Sequence, residues 1–166
     1  MQHKIHLLKI AEEIATVAHK GQVDKAGVDY INHPRTVASM CNSIDAKIVG
    51  WLHDVVEDTD VTFEDLKNSG FPENILEALR CVTKEENYQL DDYYLRIKKN
   101  ELAKEVKLAD LTHNSDLSRI PETMSEELKN KMKQKYQKYV LYKKYLLCNN
   151  YKDTISRFIN EANKND

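Results

Sequence analysis

"AKIVGWLHDVVED", residues 46–58, reads as a nearly all-round apolar helix, yet its last six positions hold His53, Asp54, Glu57 and Asp58. Asp45 is suited to cap its start. A helix with no polar face is a buried one. Unpaired ionisable groups in such surroundings cost several kcal/mol each, as an order of magnitude, so something must offset them. His53 and Glu57 are four apart, and so are Asp54 and Asp58, which puts each pair on one face and one turn apart. Carboxylates and an imidazole packed this closely repel one another unless a cation lies between them. A divalent metal at the His53–Asp54 level resolves the conflict.

Two adjacent side chains do not complete a coordination shell. His33, in "NHPRTVASMC" at the start of a second helix, and Asp110, in "AKEVKLADLTHN", are the candidates to complete it. Asp110 and Asn114 are four apart with Lys107 three before, a matching polar face on another apolar-periodic helix. Two imidazoles and two carboxylates form a mixed nitrogen and oxygen set that leaves room for water. Such a set suits Mn²⁺, Fe²⁺, Co²⁺ or Zn²⁺ better than Ca²⁺. An ion of this kind acidifies water and polarises a phosphoryl oxygen, and Glu57 and Asp58 stand where they would hold that water and take its proton. Taken singly, each part has a simpler reading: a His-Asp pair is common in helices, His33 can cap a helix, and Asp110 can merely salt-bridge Lys107. The weight lies in the combination.

Outward from this segment the chain reads as all-α. Four glycines and three prolines in 166 residues leave little turn chemistry for a sheet. A first helix is expected over 4–18, with Ile5, Leu8, Ala11, Ala15 and Ala18 as its apolar stripe, widened by Leu7, Ile14 and Val17. Residues 20–31 read as a loop with two glycines. Pro34 suits the first position of the next helix, placing His33 at or near its cap. Thr62 and Asp65 have the form of a capping box for a short helix at 63–68 that stops at Gly70. Further helices are expected at 72–82, 91–99, 101–117, 125–147 and 151–163, with a polar linker at 83–90 as the flexible loop. The simplest architecture is a compact multi-helix bundle forming a single domain over 1–166, with 125–166 as C-terminal helices packed on the core.

Composition narrows the partners. Apolar residues make up 41% and charged residues 31%, which excludes general disorder, and the net charge of −2 gives no overall attraction to nucleic acid or membrane. No apolar run approaches a bilayer span, and the N-terminus has no uninterrupted apolar stretch of signal-peptide type. Cys41, Cys81 and Cys148 are scattered and form no C-x-x-C pair, as expected of reduced thiols in a cytoplasmic protein. Oligomeric state is left open, and a homo-oligomer is compatible with the sequence. "KNKMKQKYQKYVLYKKYLL", 129–147, is basic and aromatic, but a solvated lysine face with tyrosines packed inward explains it better than nucleic-acid binding. His19 is read as a packing or loop-bonding residue, and His113 as a wall or core histidine.

The blocks "AHKGQVDKAGVDYINHP" (18–34), "WLHDVVEDTDVTFEDL" (51–66) and "VKLADLTHN" (106–114) together resemble the HD superfamily of metal-dependent phosphohydrolases. They are closer still to the hydrolase domain of RelA/SpoT-type alarmone enzymes and their short stand-alone relatives. The resemblance covers roughly the first 120 residues. It implies an HD-domain helical bundle in which His33, His53, Asp54 and Asp110 bind one divalent ion, Mn²⁺ first. It also implies that Glu57 and Asp58 handle the nucleophilic water, that Asn114 contacts the nucleotide, and that a Tyr from 129–147 approaches it, Tyr136 being the candidate. Lys25 and Lys107 would handle phosphate or sugar. The implied reaction removes the 3′-pyrophosphate of guanosine tetra- or pentaphosphate. No synthetase pattern accompanies these blocks, so the chain is expected only to break bonds.

Two positions depart from the family pattern. Asp24 stands where the first loop usually carries Arg, and Ser115-Asp116 follow Asn114 where Met-Arg or Leu-Arg is usual. Each reversal is expected to weaken binding of a highly phosphorylated substrate by about 1–2 kcal/mol. Two alternatives therefore stand beside the first reading. One is an HD-type nucleotidase or phosphatase for another small nucleotide or phosphate ester. The other is a non-catalytic nucleotide or nucleic-acid binder.

Overall fold

Helix α3 (Ile44–Leu52) lies at the centre of the molecule because its sequence leaves it no solvent-facing side. In the computed structural model, which describes residues 1–164, Ala46, Ile48, Val49 and Leu52 are wholly buried. Each aliphatic side chain so buried stabilises the fold by about 1.5–3 kcal/mol before chain entropy is counted. Around α3 pack α1 (Gln2–Ala18), α2 (Asn32–Met40), α6 (Glu73–Val82) and α8 (Glu101–Asn114). The remaining helices are α4 (Val55–Asp58), α5 (Phe63–Asn68), α7 (Leu90–Lys99), α9 (Glu126–Leu147) and α10 (Ile155–Ala162), with a 3-10 turn at Leu117–Arg119. Among the described residues the single β feature is an isolated Val23–Asp29 bridge, which closes the 20–31 loop. The fold is an all-α bundle.

Small residues set the helix spacing near the site. On α1 the buried stripe is Leu7, Ala11 and Ala15, narrower than the periodicity predicts, and Ile5 and Val17 are 44% and 74% exposed. On α3, Gly50 faces Ala38 of α2 so closely that a Cβ there would lie 2.9 Å from the Ala38 Cα. Only glycine permits this approach, and it holds the last turn of α2 close against α3.

The segment expected as one helix over 45–58 is broken. Helix α3 ends at Leu52 and α4 begins at Val55. The His53 Nδ1–H donates to the Gly50 carbonyl at 2.7 Å, where a continuous helix would offer that carbonyl the Asp54 amide. Asp54 then turns at φ −104° and ψ −5°. The relation of Asp54 to Asp58 survives, since the Asp58 amide donates to the Asp54 carbonyl at 2.9 Å. The cap of α3 also differs from expectation. Ser43 Oγ accepts from the Ala46 amide at 3.0 Å, and Asp45 instead receives Lys4 Nζ at 2.8 Å. Helix α2 starts at Asn32, so Pro34 is its third residue rather than its first, and His33 lies near the cap, in the first turn. The capping box forms as expected, with Thr62 Oγ1 accepting from the Asp65 amide at 3.2 Å and Asp65 Oδ2 accepting from the Thr62 amide at 2.8 Å.

The later helices fall within a residue or two of expectation, except that α8 stops at Asn114 and α10 starts at Ile155. Ser115 Oγ donates back to the Leu111 carbonyl at 2.7 Å and Asp116 caps the 3-10 turn, so the chain leaves α8 early. Helix α9 packs along α8, and α10 packs on α7. Lys131, Lys133, Lys135, Lys138 and Lys144 of α9 are exposed, while Tyr136 and Tyr145 are buried. The C-terminal end is held by Lys98 of α7, which is 1% exposed and has no carboxylate partner among the described residues. Its Nζ donates to the Tyr145 carbonyl at 2.8 Å and the Asn150 carbonyl at 3.1 Å, and sits 4.0 Å from the centre of the Tyr145 ring.

Candidate functional site

Three separate segments bring His33, His53, Asp54 and Asp110 together. The close α2–α3 approach places His33 Nε2 3.2 Å from His53 Nε2. Asp54, at the break between α3 and α4, sets its Oδ2 3.0 Å from His53 Nε2 and 3.6 Å from His33 Nε2. Asp110 Oδ1, from the buried face of α8, lies 3.1 Å from His33 Nε2 and 3.8 Å from His53 Nε2. Ligands about 2.0–2.2 Å from one ion stand about 2.8–3.6 Å apart along the edges of an octahedron or tetrahedron. His33, His53 and Asp54 have separations close to that size and offer three ligand atoms all within 4.8 Å of one another; Asp110 stands outside that group of three but reaches within 3.1 Å of His33 Nε2. The donor set therefore fits a divalent cation.

The surrounding bonds orient these groups. Because the Gly50 carbonyl can only accept, His53 must carry a proton on Nδ1 and can present a bare Nε2. Tyr30 Oη donates to Asp54 Oδ2 at 2.6 Å. Lys107 Nζ donates to Asp110 Oδ2 at 2.6 Å, and Asn114 Nδ2 donates to Asp110 Oδ1 at 2.6 Å. Pairing of Asp110 with Lys107 and facing of Asp110 into the cluster are thus not exclusive; they use different oxygens.

The charges respond to this crowding. Burial pulls the His53 pKa down, but the charge and hydrogen bond of Asp54, with Asp110 behind it, outweigh burial and hold it at about 9. Burial raises the Asp54 carboxyl, yet His53 overcomes this and holds it well below the usual carboxylate range. Asp110 is likewise held low against its burial, chiefly by the Lys107 ammonium. Glu57 and Asp58 move the other way. Burial raises both, and the neighbouring Asp54 charge adds to it. Burial, with the positive charge of Arg119, lowers the His113 imidazole to about 4. The cluster attracts positive charge at one level and holds two basic carboxylates at the next.

Two adjoining cavities open over the cluster. One of about 470 Å³ is lined by His53, Asp54, Glu57, Asp58, Asp110 and Lys107, with Lys84 and Lys138 on its rim. The other, about 310 Å³, is lined by Lys25, Asp24, Arg119, Met132 and Tyr136. Tyr30, Asn114, Lys135 and Tyr139 belong to both. The predicted residues thus divide: His53, Asp54, Asp110, Glu57, Asp58 and Lys107 line the larger cavity, His33, Lys25 and Tyr136 the smaller, and Asn114 both.

The chain matches no protein-family model. It is similar to curated proteins over most of its length. It is 31% identical to the bifunctional (p)ppGpp synthase/hydrolase SpoT of Escherichia coli K12 over 133 residues, covering 68% of this chain and 18% of that protein. It is 38% identical to a guanosine-3′,5′-bis(diphosphate) 3′-pyrophosphohydrolase of Spiroplasma citri over 118 residues, covering 63% of this chain and 16% of that one. Among solved structures, a protein described as a metazoan ortholog of SpoT that hydrolyses ppGpp superposes with a TM-score of 0.63 at 23% identity, covering 95% of this chain and 92% of that one. This chain is an HD-type, ppGpp-hydrolase-like domain. It spans about a fifth of the length of the curated relatives it matches.

In this HD-type domain the two unusual aspartates are occupied locally. Asp24 Oδ1 accepts from the Ala26 and Val28 amides at 2.8 and 3.0 Å, and its Oδ2 pairs with Arg119 Nη2 at 3.1 Å. Asp116 Oδ1 accepts from the Ser118 amide at 2.9 Å and its hydroxyl at 2.7 Å. Arg119 places a guanidinium beside the loop that lacks its own, which reduces the penalty expected of Asp24. His19 is buried and bonds Gln22 Oε1 through Nδ1 at 2.8 Å, in keeping with a loop-bonding residue.

Sequence reasoning missed Tyr30, Gly50 and Arg119, and read His113 as a wall or core histidine without its contact to His33. His113 lies three after Asp110, on the same face, and its Nδ1 stands 2.7 Å from His33 Nδ1. The signal was the spacing to Asp110, not to Asn114. Nothing local marks Arg119 or Gly50, whose roles depend on segments distant in sequence.

Proposed function

We propose that this chain is a metal-dependent phosphohydrolase that removes the 3′-pyrophosphate of a guanosine tetra- or pentaphosphate. What carries the reading is the four-membered His/Asp cluster lying beside two carboxylates of raised basicity, in a domain similar to curated 3′-pyrophosphohydrolases. His33, His53, Asp54 and Asp110 would hold one divalent ion; two imidazoles and two carboxylates suit Mn²⁺, Fe²⁺, Co²⁺ or Zn²⁺, and the resemblance to alarmone hydrolases makes Mn²⁺ the first to test. When bound, such a cation supplies positive charge to the phosphoryl group and acidity to water.

The chain's own residues do the rest. Glu57 and Asp58 line the larger cavity with raised proton affinity, so they can accept the proton of the attacking water at near-neutral pH. The water oxygen bonds to the phosphorus nearest the ribose, the bond from that phosphorus to the 3′-oxygen breaks, the 3′-oxygen takes up a proton to leave a 3′-hydroxyl on the nucleotide, and pyrophosphate departs. Lys84, Lys107, Lys135 and Lys138 meet the phosphate charges. Tyr136, Tyr139, Lys25 and Arg119 in the smaller cavity receive the nucleoside, and Asn114 at the junction sets the ribose between them.

The test is a substrate panel on Mn²⁺-reconstituted protein, including ppGpp, GDP, GTP and a simple phosphate ester, with phosphate and pyrophosphate scored separately. Pyrophosphate release from ppGpp that is lost in Glu57→Gln supports the reading. Turnover of only the other compounds would move the substrate to another small nucleotide or ester, and turnover undiminished by chelation would remove the metal. Metal analysis of the purified protein separates Mn²⁺ from Fe²⁺, Co²⁺ and Zn²⁺.

A further inference from the structure

The two imidazoles of the cluster have different supports. His53 is fixed by a carbonyl, which can only accept a proton. Among the described residues, no carbonyl or carboxylate bonds the far side of His33; its Nδ1 faces the Nδ1 of His113 at 2.7 Å. The two rings are within 15° of parallel with centroids 5.0 Å apart. The gap between that distance and the 2.7 Å nitrogen separation is what two ring radii occupy when both nitrogens lie on the line of centres. The rings are therefore edge to edge and nearly coplanar, the geometry of a linear N–H···N bond rather than of face-to-face stacking. One proton lies between these nitrogens, and its owner decides what His33 shows to the cluster.

We infer that His113 is a positioning residue: it accepts the Nδ1 proton of His33 and so leaves the His33 Nε2 bare toward His53, Asp54 and Asp110. In the opposite arrangement His113 donates, His33 carries its proton on Nε2, and that proton points at Asp110 Oδ1, 3.1 Å away. A proton there occupies the space a cation needs. Arg119 steadies the acceptor, since its Nη1 donates to the His113 carbonyl at 3.0 Å while its Nη2 holds Asp24 of the first loop. The inference rests on the proposed cation site, and it adds a residue to that site which contacts neither cation nor substrate.

The test uses the full chain with uniformly ¹⁵N-labelled histidine and Zn²⁺ as a diamagnetic probe. Long-range ¹H–¹⁵N spectra report which ring nitrogen of His33 is protonated, and chelator competition gives the Zn²⁺ affinity. In the wild-type protein His33 is expected to carry its proton on Nδ1. His113→Leu is expected to weaken Zn²⁺ binding about 10–100-fold. His113→Asn, whose amide oxygen can occupy the place of Nδ1, is expected to restore most of the loss; His113→Gln, whose amide reaches past it, is not. A shared structural defect would lower the cation-free melting temperature of Asn and Gln variants alike and would not separate them in Zn²⁺ affinity. Equal affinity in all three variants, or a proton on His33 Nε2 in the loaded protein, overturns the inference. If the wild-type protein takes up no cation, the proposed function fails, and the His33 tautomer still decides this point: Nδ1–H supports it and Nε2–H overturns it.

Discussion

With no cation bound, His53 holds its proton up to about pH 9, because Asp54 and Asp110 more than offset the burial that would expel it. An unfolded histidine titrates near about 6.5. The proton therefore stabilises the folded, cation-free protein fully below about pH 6.5, and that contribution is lost as pH rises through about 9. A divalent ion competes with the same proton and gains as it leaves. The rise in melting temperature on adding Mn²⁺ should thus grow between pH 6.5 and 9; a shift independent of pH in that window would contradict the charge balance described for the cluster. Glu57→Gln keeps the cluster and removes a base, so it should bind Mn²⁺ as the wild type does while kcat falls about 10²–10⁴-fold. His53→Ala, by contrast, should lose cation and turnover together, which equilibrium dialysis and the substrate assay can read side by side.

Helix spacing governs whether those side chains meet. Gly50→Ala places a Cβ against the Ala38 backbone, and overpacking of this kind costs about 1–3 kcal/mol, measurable by urea unfolding. The same substitution should weaken cation binding, since it moves His33 on α2 away from His53. Lys98→Met keeps the aliphatic stem and strips the donor from the Tyr145 and Asn150 carbonyls, at about 1–3 kcal/mol for a buried acceptor left unmade. At this scale the sequence was readable where the signal was local: the Thr62–Asp65 box, the apolar run of α3 and the stop at Gly70 (φ +90°) all appear as expected. The break at His53–Asp54 was not readable, because it follows from a side chain bonding backward to Gly50, and helical periodicity carries no trace of that competition.

Across the whole molecule, the bundle and the four-residue cluster were legible because apolar periodicity and the HP, HD and D-x-x-x-N spacings survive in one dimension. What stayed hidden joins segments far apart in sequence: Arg119 to Asp24, His113 to His33, and Lys98 to the chain beyond α9. The net charge of −2 offers a polyanion no general attraction, so binding should rely on the local lysines around the larger cavity. Raising ionic strength should then raise KM for ppGpp while leaving kcat nearly constant; a kcat that falls with salt instead would place those lysines in the bond-breaking step. The cavities meet along Tyr30, Asn114, Lys135 and Tyr139, so the two fragments of a cleaved nucleotide would come to rest in different compartments with a common partition. Neither fragment blocks the exit of the other, yet each occupies half the berth of an incoming molecule. GDP and pyrophosphate should each compete with substrate on their own, and the two should be able to reside together.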